Sequence, residues 1–242
     1  NAAVAARLGV PEVWRCLVEV GRASRGDAVA MGAVADAIRN LSGVGAAGLD
    51  AAAMGEVRDV LATIWLAAEG DVVRESVLVA LANFASLAEG RRVMAADAVR
   101  DVLVSMGRGA ATDAVRQAAA AAVANVARSD VGQRVMARAE VRDVLVAIGR
   151  VATTDSVRGL VVAAVANVAQ SDVGQRVMAR VEVRDVLVAI GRVAATDAVR
   201  EQVATAVAHV ARSDVGQLVM ARDEVRDVLV AMGHVAATAV RE

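Results

Sequence analysis

The sequence predicts an all-α solenoid, a row of stacked helical units rather than one broad globular core. Three observations predict it. The string Val-Arg-Asp-Val-Leu begins at Val57, Val99, Val141, Val183 and Val225, each 42 residues after the last. A looser copy, Val13-Trp14-Arg15-Cys16-Leu17, lies 44 residues before Val57. A second string, Ser-Asp-Val-Gly-Gln, recurs at Ser129, Ser171 and Ser213 in the same step. Between these landmarks the apolar residues follow helical spacing, with no strand alternation.

The unit at 171–211 shows the elements in order. Ser171-Asp172-Val173-Gly174-Gln175 reads as a helix start, with Asp172 as the cap and Gln175 reaching back to it. A short first helix runs through Val177 and Met178. Val183-Arg184-Asp185 opens a second, in which Val183, Val186, Leu187 and Ile190 form an i, i+3, i+4, i+7 stripe. Gly191 near its end either terminates the helix or permits close packing. Thr196-Asp197 is a second capping signal. The third helix then carries Val199, Val203, Val207 and Val210 on one face. Such a unit cannot bury its own stripe, so neighbours must stack to do so. The whole chain, 1–242, divides into repeats at roughly 1–42, 43–86, 87–128, 129–170, 171–212 and a partial sixth at 213–242. It begins at Asn1 and ends at Glu242 within a repeat, as expected of a fragment of a longer protein.

Composition narrows the function. Hydrophobic residues make up 57% of the chain but aromatics only 1%, so the apolar mass is Ala and Val, suited to narrow gaps between close helices. A formal net charge of −1 provides no excess positive charge to draw nucleic acid. Mean hydropathy is +0.50. Uncharged stretches such as 159–171 nevertheless fall short of the ~20 apolar residues that span a bilayer, so no membrane partner is expected. The lone Cys16 allows no internal disulfide and fits a reducing, intracellular location, cytoplasmic or nuclear.

The third helices read Ala37-Ile38-Arg39-Asn40-Leu41, Leu81-Ala82-Asn83-Phe84-Ala85, Val123-Ala124-Asn125-Val126-Ala127 and Val165-Ala166-Asn167-Val168-Ala169. This pattern resembles the Asn-Leu/Ile-Ala third-helix signature of armadillo repeats, and the repeat length fits. Gly9-Val10-Pro11 resembles the hinge between the first two armadillo helices. The resemblance covers essentially the whole chain. It implies a right-handed superhelix of about five repeats plus a partial sixth, with three helices per repeat. It departs from the pattern after Gly55, where Asp97, Ala139, Val181 and Asp223 replace the hinge Gly. Loss of that Gly would merge the first two helices, as in a HEAT repeat.

In armadillo proteins the third helices line a concave groove, and an Asn ladder there can bond the backbone of an extended peptide, because an amide both donates and accepts. Asn40, Asn83, Asn125 and Asn167 match the ladder, with His209 in the fifth repeat. The alternative is that these amides satisfy buried backbone groups between adjacent repeats. Family members that grip basic nuclear-import signals carry Trp four residues before the Asn. Here Asp36, Val79, Ala121, Ala163 and Thr205 stand there, against that specificity. The resemblance implies a non-enzymatic scaffold for a protein or extended peptide, with no cofactor. The alternatives are an element that stacks end to end with itself, or an accessory domain of a larger protein.

Near-identical copies add one inference. Between the fourth and fifth units Gly159 becomes Glu201, Leu160 becomes Gln202, Ala163 becomes Thr205 and Asn167 becomes His209, while the second helix Val141–Arg150 recurs unchanged as Val183–Arg192. Gln117 holds the Gly159 column one unit earlier. The changes share one face of the third helix. Either this face reads a partner or it drifts because it is exposed.

Other features read as structural. Gly43-Val44-Gly45-Ala46-Ala47-Gly48 matches G-x-G-x-x-G but follows a helix rather than a strand. Asn40-Leu41-Ser42 is a formal sequon at the end of a packed helix. His209 and His234, the only histidines, stand 25 residues apart with no ligand cluster, so no metal site is expected. Cys16 occupies the column of Val144 and Val186 and is expected in the core. Trp14 falls in the column of an exposed Arg142, and Trp65 in that of Gly107, Gly149 and Gly191. Each Trp is either local packing or a contact anchor. The Arg-Asp pairs beginning at Arg58, Arg100, Arg142, Arg184 and Arg226 are expected to form two rows that pair across units.

Overall fold

The computed structural model describes residues 11–44, 49–68, 70–106 and 112–239, with side chains to residue 233. Gly45 to Gly48, Gly107 and the Gly9-Val10 part of the hinge lie outside the described residues, as does the His234 side chain. Fifteen helices follow one another without a strand among the described residues. The first unit contributes a second helix, α1 (Pro11–Ala23), and a third, α2 (Ala28–Val44). The next contributes α3 (Ala51–Ala67) and α4 (Asp71–Ser86). Three complete triplets follow: α5 (Ala88–Met94), α6 (Asp97–Met106) and α7 (Asp113–Val126); α8 (Asp130–Met136), α9 (Ala139–Val151) and α10 (Asp155–Val168); α11 (Asp172–Met178), α12 (Val181–Val193) and α13 (Asp197–Val210). Two last helices, α14 (Asp214–Met220) and α15 (Asp223–Ala239), begin a sixth unit.

The third helices α2, α4, α7, α10 and α13 pack one on the next and form the spine of the stack. Ala makes this possible. Ala118, Ala119, Ala120, Ala122 and Ala124 of α7 are all buried, and so small a side chain lets neighbouring backbones approach. The predicted second-helix stripe is buried throughout: Val183, Val186, Leu187 and Ile190 are each at most 5% exposed. Each such side chain stabilises the stack by about 1.5–3 kcal/mol relative to exposure. Gly191 serves close packing. A Cβ there would stand 2.5 Å from Val228 Cγ1 of the next unit, and the same holds at Gly149 against Val186.

In the later units the third helices start after Thr and three of the short helices after Ser. Thr112, Thr154 and Thr196 cap the third helices by accepting from the amide three residues on. The short helices are capped by Ser129, Ser171 and Ser213, not by the following Asp. Asp172 is the first helical residue, and Gln175 is buried rather than folded back to it. Its counterpart Gln133 donates to Gln170 Oε1 at 3.1 Å.

The expected merging of the first two helices is reversed. The three full triplets lack the hinge Gly and yet break, at Ala95-Ala96, Ala137-Arg138 and Ala179-Arg180. The helix that contains Gly55 instead runs through it unbroken from Ala51. The break is set by tertiary contact. Met94, Met136 and Met178 at the ends of the short helices are fully buried, which turns the chain inward before the second helix starts. At the other end of each short helix a Gly sits against the preceding third helix. A Cβ at Gly132, Gly174 or Gly216 would lie 1.8 Å from the carbonyl oxygen of Val126, Val168 or Val210.

Two further expectations fail for reasons of position, that for Cys16 and that for the Arg-Asp pairs, while Trp14 proves to be local packing. Cys16 is exposed rather than core. Its column, represented by Val60, Val186 and Val228, is buried against the Gly of the preceding unit, and no described helix precedes α1. Trp14 is buried, 1% exposed, with its ring edge-on to Phe84 at 5.6 Å. The Arg-Asp pairs do not bridge units: Arg142 bonds Asp143 at 2.7 Å and Arg184 bonds Asp185 at 2.7 Å, each within its own helix. Neighbouring side chains on one turn reach each other more readily than a row in the next unit. Ion pairs between units occur elsewhere, at Arg22–Glu56 (3.3 Å) and Arg39–Glu75 (3.5 Å).

Candidate partner-binding face

Stacking of the third helices aligns three columns on one face. Asn40, Asn83, Asn125, Asn167 and His209 form the first. Asp36, Val79, Ala121, Ala163 and Thr205 form the second, four residues upstream, and Gly32, Glu75, Gln117, Gly159 and Glu201 the third. Every member except Gly159 is exposed or half-buried, so the face continues over five units.

The amide column is held by the fold. Asn125 donates from Nδ2 to the Ala82 carbonyl at 3.0 Å, and Asn167 to the Ala124 carbonyl at 2.9 Å. His209 Nδ1 takes the same place, 2.9 Å from the Ala166 carbonyl. A carbonyl only accepts, so this contact requires the Nδ1-H tautomer and leaves Nε2 free to face outward. Asn83 reaches Ser42 Oγ at 3.1 Å and the Arg39 carbonyl at 3.5 Å. Asn40 is exposed. The amides from Asn83 onward therefore satisfy backbone or side-chain groups of the preceding unit. That bond uses one N–H of Asn125 and of Asn167 and fixes the amide plane, whereas Asn83 Nδ2 contacts two acceptors. At Asn125 the Oδ1 and the second N–H remain, at Asn167 the Oδ1 also accepts from Gln170 Nε2 at 3.5 Å, and all three side chains are only half-buried.

The residues that differ between the fourth and fifth units divide into two kinds. Glu201 and Thr205 are exposed. Gly159 and Gln202 instead face each other across the α10–α13 joint. A Cβ at Gly159 would lie 3.1 Å from Gln202 Oε1, and that oxygen is buried without a hydrogen bond. Gln117 is exposed. Ser42 of the sequon is buried and its hydroxyl donates to the Arg39 carbonyl.

Sequence reading missed a fourth column, three residues after the Asn. Ser86, Arg128, Gln170 and Arg212 are all exposed there, at the ends of the third helices. The i+3 spacing from the ladder was the available signal. Acidic groups (Asp36, Glu75, Glu201) thus stand upstream of the amides and arginines (Arg128, Arg212) downstream. Ser76 Oγ bonds Asp36 and Arg39 pairs with Glu75, which ties the acidic end of the face to the first joint.

At the next joint along the second helices, Trp65 is packing: it is 6% exposed, its Nε1 donates to Ser105 Oγ, and the Arg74 guanidinium lies 5.8 Å from the ring centre. No helix among the described residues is long and apolar enough to cross a membrane.

No protein-family model matches the sequence, and no curated protein matches it significantly. Solved structures do. Computationally designed armadillo repeat proteins for modular peptide recognition are similar over 90% of this chain and 97% of theirs, at 18% identity and a TM-score of 0.67. A designed armadillo repeat protein in complex with the peptide (KR)4 matches over 98% of this chain and 89% of its own, at 18% identity and a TM-score of 0.55. An engineered protein matches over 90% and 96%, at 21% identity and a TM-score of 0.64. Three helices to a unit, third helices stacked as a spine and these structural likenesses make the chain an armadillo-like α-solenoid.

Proposed function

We propose that the chain is a non-enzymatic scaffold that holds an extended peptide or a partner domain on its third-helix face. The amide column carries this reading. Asn83, Asn125 and Asn167 each donate to the preceding unit from a half-buried amide, at one rung per 42-residue unit, and Asn125 keeps its oxygen and second N–H. Rungs oriented in advance lower the ordering cost of binding. Structural neighbours include scaffolds built for peptide recognition, which supports the same use here. Glu201, Thr205 and His209 alter the face in the fifth unit, so its far end would read a different feature from its middle. Affinity capture, followed by titration of the captured segment against the chain and its Asn83/Asn125/Asn167→Ala variant, tests this. Affinity should fall by roughly tenfold or more, about one modest hydrogen bond per rung, with helicity retained. Equal affinity of both chains would refute it, as would full affinity in a Glu201, Gln202 and His209 alanine variant for the role of the fifth unit.

A second reading has its own observation. An apolar hollow of 700 Å³ lies over α13, α14 and α15, lined by Val207, Met220, Val225 and Leu229, and Leu218 nearby is 73% exposed. End-to-end association of the chain would cover such a surface. Molar mass that rises with concentration in light scattering supports it; a constant monomer mass refutes it.

A further inference from the structure

The joint between α1 and α3 differs from those that follow. In later joints the short helix of one unit packs against the second helix of the unit before, as α5 does on α3 and α11 on α9. At the first of these, Arg58 Nη1 of α3 donates to the carbonyl of Val93 at 3.1 Å, and Met94 beside it is fully buried. Trp14 stands one unit earlier in the column of Arg58. The positions that correspond to Val93 and Met94 are Ala51 and Ala52, in the first turn of a straight α3.

Two things are consequently lacking there. A cleft of 390 Å³ opens between the helices, with Trp14, Val18 and Ala52 among its walls and the Arg22–Glu56 ion pair beside it. Pockets for peptide side chains and small ligands begin at about this volume. The indole Nε1 of Trp14 is also buried without a hydrogen-bond partner. A buried donor left unmade is costly, and because this one has no exposed surface an acceptor from the cleft reaches it only when the ring turns toward the cleft on binding.

We propose that the α1–α3 cleft is a docking site for a methionine-bearing helical turn of a partner protein, distinct from the third-helix face. The ligand chemistry is read from the later joints. An unbranched thioether side chain fills the space taken there by Met94, Met136 and Met178, and the carbonyl preceding it accepts from Trp14 as Val93 accepts from Arg58. Arg15, Arg22, Glu19 and Glu56 at the margin suit a turn that carries charges of both signs, as the chain's own segment at 172–180 does with Asp172, Arg176 and Arg180.

The probe is a capped peptide with the sequence of residues 172–180, titrated into the isotopically labelled chain. Its two indole N–H signals, from Trp14 and Trp65, serve as reporter and internal control, because Trp65 is already bonded to Ser105. The Trp14 signal should move downfield and saturate while that of Trp65 stays. A peptide with Asp in place of its Met should bind at least roughly tenfold more weakly, since the buried thioether stem is lost. Ala52→Met, which fills the cleft from within, should weaken the native peptide to the same degree without loss of helicity. A Trp14 signal unmoved at about 1 mM peptide, the weak end of specific affinity, overturns the proposal. Equal shifts from both peptides, or undiminished binding by Ala52→Met, also overturn it.

Discussion

Gly174→Ala should destabilise the chain even though Ala favours helix by up to about 1 kcal/mol over Gly. The added Cβ would fall 1.8 Å from the Val168 carbonyl oxygen and 2.6 Å from its carbon, where real Cβ contacts do not go below 3.0 Å. The atom in the way is backbone in the middle of the spine, so α11 must retreat by more than an ångström. That retreat strains a packed joint, at about 1–3 kcal/mol. It also lengthens the cap from Gly174 N to Ser171 Oγ, now 3.1 Å, which is worth about 1 kcal/mol. Met178 is drawn out of the core with it. Net of the helix preference, the loss should be about 1–3 kcal/mol. Gly55→Ala is the control, because it also lies inside a helix but its Cβ would meet nothing nearer than 4.0 Å. It should stabilise by about 0.5–1 kcal/mol. Urea unfolding followed by circular dichroism reads both. Two stabilising substitutions, or two neutral ones, would refute the argument that the short helix is wedged against the carbonyl.

Three further outcomes are expected. Asn167→Ala should cost about 0.5–1.5 kcal/mol in urea unfolding for the bond to Ala124, and Asn167→Asp more, because a carboxylate would then face a carbonyl oxygen. Trp65→Ala should cost about 3–5 kcal/mol by leaving a void beneath Arg74 and freeing Ser105, measured in the same way. The Asp155 carboxyl is held below its ordinary value, first by its hydrogen bond from Arg158 and then by the amides of Ala195 and Thr196, against an opposing cost of burial. Its folded value lies below its unfolded one near about 3.9. The contribution is therefore fully present above that value and lost as pH falls through the lower folded value. Asp155→Asn should flatten the acid limb of stability in urea midpoints taken from neutral pH downward; an unchanged limb would count against it. Asp113, lowered first by the Thr153 hydroxyl and then by Arg116, should behave likewise.

What could be read from the sequence was what is local and repeated. The Val183, Val186, Leu187, Ile190 stripe and the Thr196 cap depend on residues within two turns of each other, so periodicity reveals them. The chain break did not follow from the hinge Gly, because Met136 and Gly132, both anchored in the core and on the spine, impose it without a flexible residue. Cys16 was misread, and the column of Trp14 did not decide between packing and contact, because a column keeps its burial only where the neighbouring units are alike, and the first joint is not like the others. The Asn column was found, but its bond to a carbonyl 43 residues earlier depends on how third helices stack. One of the two N–H groups of Asn125 and of Asn167 is thereby accounted for within the fold.

That bond has a consequence for how such a chain changes length. Asn125, Asn167 and His209 each hold the unit before by one contact of the same span, so no joint depends on which unit comes next but one. Removal of residues 129–170 would bring Asp113 of one unit beside the Ala195 and Thr196 amides that now serve Asp155, and Ala124 beside His209. The new seam would keep these bonds, while Gln117 would stand where Gly159 now leaves room for Gln202. Copy number can thus vary by recombination between near-identical segments in whole steps of 42 residues, and the reach of the face would grow or shrink with it while the repeated bonds at the junctions stay the same.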